Sequence, residues 1–156
     1  MNKKINVFVY GSLREGFFNY DKYLKGKVIS IKPGKIHNMV LYHMPYKGYP
    51  ALLKGTGTVY GEIMEINPEI YDETMKAMDE MEGFISENNP QNEYEKKLLK
   101  VEHLDDKKTE QCYVYFYNKH IDPNFSNKAV LIPHGDWVNH MCESKKTEKF
   151  NILTNF

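Results

Sequence analysis

Apolar residues recur along this chain with two periods, and the period separates the strands from one main helix. Residues 5–10 are near-continuously apolar up to Tyr10, which predicts a strand buried on both faces. A polar turn spanning Gly11 to Gly16 follows. Phe17, Tyr20 and Leu24 fall on one side of a short predicted helix that stops before Gly26. Val28 to Ile31 alternates apolar with polar and reads as a strand. Pro33-Gly34 reads as a turn, and Lys35 to Met44 as another strand. Residues 45–53 carry Pro45, Gly48 and Pro50 and read as an irregular loop whose tyrosines either wall a pocket or cover a core edge.

Thr58 to Ile66 has the clearest strand alternation. Gly61 inside it predicts the close approach of a neighbouring backbone or ligand. Asn67 and Pro68 then form a helix start, as a cap and a first-turn proline. The helix is predicted to run to Glu82 and to end on Gly83. An exposed loop over 86–93, strands over 94–103 and 111–117, a brief apolar run at 129–132 and a short helix around Trp137 complete the pattern. Strands and helices do not alternate as in a doubly wound fold. The expected class is α+β: a mixed, largely antiparallel sheet closing into a small barrel, with a few packed helices.

With 156 residues, of which 41% are apolar, the chain suits one domain over 1–142 and a C-terminal tail over 143–156. The formal net charge of zero argues against a generic nucleic-acid binder. The charge is uneven, with 13 acids against 6 lysines in residues 67–112. Two cysteines, Cys112 and Cys142, provide no disulfide framework. No long apolar segment opens the chain or spans a membrane in the pattern, so a cytoplasmic protein is expected. The six histidines lack metal-ligand spacing, and neither a metal nor a cofactor is expected.

Two places carry candidate chemistry. The turn after the first strand is either a plain tight turn or a nest of N–H groups that holds an anion. Gly11 there allows a backbone conformation closed to other residues. The second place is Glu82. Tyr71, Met75 and Met78 recur on one helix face, and the next position on that face carries a carboxylate. Glu82 either turns to water or sits desolvated at the core edge. Desolvation raises a carboxylate's pKa toward the range useful for moving protons.

Tyr10-Gly11-Ser12-Leu13-Arg14, continued by Gly16 and Asn19, resembles the opening motif of the gamma-glutamylcyclotransferase-like family (AIG2-like branch). Tyr49-Pro50-Ala51-Leu52, Met78-Asp79-Glu80-Met81-Glu82-Gly83-Phe84 and Gly135-Asp136-Trp137 match it in order. The resemblance implies release of 5-oxoproline from a small gamma-glutamyl compound, with Glu82 as the catalytic acid/base. It implies substrate binding by the backbone of Gly11, Ser12 and Leu13. Tyr10 is expected to line the pocket or point its hydroxyl inward, and Tyr94 either closes over the substrate or is an ordinary strand aromatic. Asp79 is expected to play a supporting role. The chain has Lys96 where the family often has arginine, which removes a planar, bidentate donor. Segments 42–53 and 85–93 are expected to set the leaving group, whose identity and the oligomeric state stay open. The other reading is a non-catalytic binding protein that keeps the pocket.

Overall fold

The computed structural model describes residues 4–143; the expected tail over 143–156 falls outside them except for Glu143. The backbone builds a closed five-stranded barrel with one extra strand. Its strands are β1 (Val7–Val9), β2 (Val28–Met44), β3 (Tyr49–Ile66), β4 (Tyr94–His103) and β5 (Thr109–Tyr117). They run in the order β3-β1-β5-β4-β2, and β2 pairs with β3 to close the ring. Only β1 with β5 is parallel; the other pairs are antiparallel. Val130–Leu131, β6, adds to β2 outside the ring. Helix α1 (Phe18–Tyr23) follows β1, α2 (Tyr71–Met81) follows β3, and α3 (Phe125–Lys128) precedes β6.

The sequence pattern maps closely onto α2 and its ends. Asn67 accepts the Glu69 N–H at 3.0 Å, and Pro68 opens a short 3₁₀ turn that leads into the helix. At the other end Gly83 has φ +67°. Its N–H meets the Glu80 carbonyl at 3.2 Å, and the Phe84 N–H meets the Asp79 carbonyl at 2.9 Å. Those two bonds are a Schellman closure. Tyr71, Thr74, Met75 and Met78 form the buried face.

Two expectations need correction. Pro33-Gly34 is not a turn. Both residues lie inside β2, opposite Glu62 and Gly61 of β3. Gly34 starts the short ladder to β4, and the Pro33 carbonyl accepts the Leu104 N–H at 3.1 Å. A Cβ at Gly34 would lie 2.9 Å from Ile63 Cδ1, so close packing selects this glycine. Pairing on both sides overrides the local turn chemistry. Nor is 45–53 wholly irregular. The connection is only residues 45–48, closed by the Gly48 N–H on the Met44 carbonyl at 2.8 Å, and Tyr49 already begins β3.

Gly61 confirms the expected close approach: a Cβ there would lie 2.2 Å from the Val9 carbonyl oxygen. Thus β1 is pressed into the barrel, and the turn after it is fixed in place. Trp137 opens the last described helix and is 2% exposed. Its Nε1 donates to His43 Nδ1 at 3.1 Å, and its ring packs on Phe17 at 5.2 Å between centroids. Asp136 caps that helix at the Asn139 N–H and pairs with Arg14 at 3.1 Å. The Gly135-Asp136-Trp137 motif is therefore a brace that holds the 11–17 segment from outside.

Candidate active site

A partly enclosed cavity of about 90 Å³ lies where β1, the start of β3, the end of α2 and the start of β4 meet. Every residue singled out for the site lines it: Tyr10, Gly11, Ser12, Leu13, Glu82 and Tyr94. The cavity wall also includes Asn19, Tyr49, Glu93 and Tyr115.

The turn is organised by its carbonyls. Gly11 O accepts from the Arg14 N–H at 2.9 Å, and Ser12 O from the Tyr20 N–H at 3.2 Å. Asn19 Nδ2 donates to Ser12 Oγ at 2.7 Å, which leaves the hydroxyl proton available. The N–H groups of Gly11, Ser12 and Leu13 meet no protein acceptor among the described residues. Paired carbonyls and spare N–H groups are the chemistry of an anion nest. The reason for Gly11 differs from the expectation. Its φ is not positive; a Cβ would lie 2.6 Å from Pro50 Cγ, so the ring of Pro50 requires the glycine.

Glu82 caps the C-terminus of α2. Its N–H bonds the Met78 carbonyl at 2.9 Å, and its own carbonyl accepts the Tyr94 N–H at 3.2 Å. Glu93 N–H to Gly83 O at 3.0 Å completes a clamp between helix end and strand start. A Cβ on Gly83 would press on Glu93 Cβ at 2.9 Å, so glycine serves both the closure and the clamp. Phenols crowd the carboxyl, yet no hydrogen bond reaches it among the described residues. Tyr10 donates to the Tyr115 carbonyl at 2.5 Å, Tyr94 to the Pro50 carbonyl at 2.7 Å, and Tyr49 to Glu93 at 2.5 Å. Desolvation, and after it the negative charges of Glu93 and Asp79, push the Glu82 pKa up to about 8.

Asp79 lies outside the cavity wall and is held by two donors. It accepts from Tyr115 Oη at 2.6 Å and from Lys96 Nζ at 2.9 Å. Lys96 lies over the rings of Phe84 and Tyr113, 5.1 and 4.9 Å from their centroids. The lysine in the family's arginine position thus holds Asp79, outside the cavity wall. Arg14 faces Glu62 and Asp136 and is not part of that wall. Tyr94 is 4% exposed and anchored at its hydroxyl, a fixed wall and not a lid.

Glu93 and Asn92 were missed as parts of the site's frame, because a run of polar residues carries no period. Asn92 is 1% exposed and folds the 85–93 loop around itself. It accepts the Ile85 N–H at 2.6 Å and donates to the Ser86 carbonyl and to Glu95, both at 2.8 Å. Among the described residues no cluster of His, Cys, Asp and Glu is arranged to hold a metal, and no helix is long and apolar enough to cross a membrane.

Residues 7–139 match the family described as gamma-glutamyl cyclotransferase, AIG2-like. The chain belongs to that family. A curated relative from Niallia circulans, gamma-L-glutamyl-butirosin B gamma-glutamyl cyclotransferase, is 30% identical over 134 residues, covering 85% of this chain and 81% of the relative. An AIG2-like protein from Mus musculus superposes with a TM-score of 0.62 at 21% identity, covering 87% of this chain and 89% of its own. An uncharacterized protein from Pyrococcus horikoshii gives 0.60 at 23% identity, covering 92% and 98%. Those two likenesses establish the fold. Family membership makes the chain an enzyme of the gamma-glutamyl cyclotransferase kind.

Proposed function

We propose that this cyclotransferase releases 5-oxoproline from a gamma-glutamyl amine or gamma-glutamyl amino acid, with Glu82 as its proton carrier. One observation carries the reading. A carboxyl that meets no hydrogen-bond donor among the described residues, its pKa pushed up to about 8 chiefly by burial, shares a small cavity with three backbone N–H groups that meet no acceptor among those residues.

The substrate's α-carboxylate lies on the N–H groups of Gly11, Ser12 and Leu13, with the Ser12 hydroxyl as a further donor. Its α-amine arrives as an ammonium and cannot attack in that form. Glu82 takes one of its protons. The freed nitrogen lone pair attacks the γ-carbonyl carbon, a C–N bond closes the five-membered ring, and the bond to the departing nitrogen breaks. Glu82 returns that proton to the departing nitrogen and then carries across the second proton that the ring nitrogen must lose to become an amide N–H, so the products are 5-oxoproline and the departing amine as its ammonium. The nucleophile is already attached to its target, so the cavity need only select the bent conformer and move protons. A positioned acid/base contributes about 10²–10⁴ in rate. Tyr10, Tyr49 and Tyr94, fixed by their own hydrogen bonds, keep water out and hold the cavity's shape.

The test is 5-oxoproline release by the purified protein from a panel of gamma-glutamyl dipeptides and gamma-glutamylamines. Release from at least one class is expected. Binding of such a compound with no release from any of them would overturn the proposal in favour of a non-catalytic binder.

A further inference from the structure

A second concavity, an open groove of about 600 Å³, runs beside the cavity and has no role in the ring-closing step. The same three chain segments wall both. Glu82, Pro50 and Tyr94 face the cavity; Gly83, Lys47 and Tyr117 face the groove, and Glu93 lines both. The groove is therefore a neighbouring space for the amide substituent of a gamma-glutamyl group held in the cavity.

The groove has two chemical features. Its floor and rim are apolar or aromatic: Tyr46 and Tyr117, with Ile85 and Ile121 at 63% and 45% exposure. Aliphatic side chains that open to solvent inside a concavity favour an alkyl body. Its charges are two carboxylates against one ammonium. Lys47 lies 3.7 Å from Glu93, which also accepts from Tyr49. Asp122 is held only by neutral donors. Tyr46 and Tyr117 both donate to Oδ2 at 2.5 Å, and the Asn124 N–H donates to Oδ1 at 2.9 Å. Burial opposes its charge, but those donors and the more distant Lys47 keep its carboxyl below the ordinary carboxylate range. No cationic side chain comes within ion-pair distance of it among the described residues. The groove thus keeps a fixed negative charge next to two aromatic rings, a setting that attracts an ammonium.

We infer that the groove is the leaving-group subsite and that it takes an alkyl amine carrying a second, distal ammonium. A distal carboxylate at the same place meets Asp122 and is disfavoured. This inference rests on the cyclotransferase reading of the cavity. The chemistry is unchanged: the amide of a diamine yields 5-oxoproline and the free diamine.

The experiment compares three gamma-glutamyl amides of equal chain length, ending in an ammonium, a hydroxyl or a carboxylate. The expected order of kcat/KM is ammonium, then hydroxyl, then carboxylate, with about tenfold between the first two. That ratio falls as salt rises. Asp122→Asn brings it close to one, and Lys47→Gln, which removes the groove's cation, raises it. The Lys47 variant keeps the test open if the Asp122 variant fails to fold. Equal turnover of the ammonium and hydroxyl amides, or a preference for the carboxylate, overturns the subsite while the cyclotransferase reading stands. Release from none of the three, by a protein that also releases 5-oxoproline from no other gamma-glutamyl compound, overturns both.

Discussion

Asp79 and Glu82 leave the same helix one turn apart and meet opposite surroundings. Asp79 turns to the β4–β5 side, where Tyr115 and Lys96 both donate to it. Glu82 turns into the cavity, meets no donor among the described residues, and is pushed up to about 8 by burial and by its acidic neighbours. A satisfied carboxylate stabilises a fold; an unsatisfied one is available for proton transfer. The difference lies in what faces each residue, since both are acids in the last turn, where the helix dipole favours neither.

Exchanging the two losses breaks or sharpens this contrast. Glu82→Gln has the largest expected effect, a fall in kcat of about 10²–10⁴, read from 5-oxoproline release. The same variant is expected to be more stable than the wild type at high pH. The folded protein holds the Glu82 proton more tightly than the unfolded chain does. Native stability is therefore full below the ordinary carboxylate value and falls as pH rises through about 8. Gln removes that loss, a gain on the order of 2–4 kcal/mol above pH 8, read from denaturant midpoints.

Gly11→Ala disturbs the cavity side alone. Pro50 has to move from a 2.6 Å contact, and about 1–3 kcal/mol of stability and a weaker KM are expected. Asp79→Asn reverses the Glu82 pattern, with a loss of about 1–3 kcal/mol because Lys96 keeps its charge without its partner. With one negative charge gone, the acidic limb of its kcat/KM profile is expected to move below the wild-type limb, itself expected near pH 8. Lys96→Arg keeps the charge beside Asp79 and is expected to change stability by less than about 1 kcal/mol.

The strands and the helix were legible where one local rule governed them. The period along 68–82, its cap and its terminating glycine predicted α2 and also the misfit at Glu82. Pro33-Gly34 misled because a turn dipeptide was drawn into a strand by partners distant in sequence. Gly11 was rightly singled out, but for backbone freedom, whereas a proline 39 positions later demands it. The groove residues around Asp122 carry no period, and the 85–93 loop is organised by one buried asparagine. Such features depend on contacts that no local pattern encodes.

The most direct measurement is a carbon-13 NMR titration of the glutamate carboxyls in the ligand-free protein, with Glu82→Gln to assign the resonance. The account predicts a Glu82 midpoint near 8. A midpoint in the ordinary carboxylate range, about 4–5, would contradict the claim that burial holds this carboxyl ready to exchange a proton with the substrate.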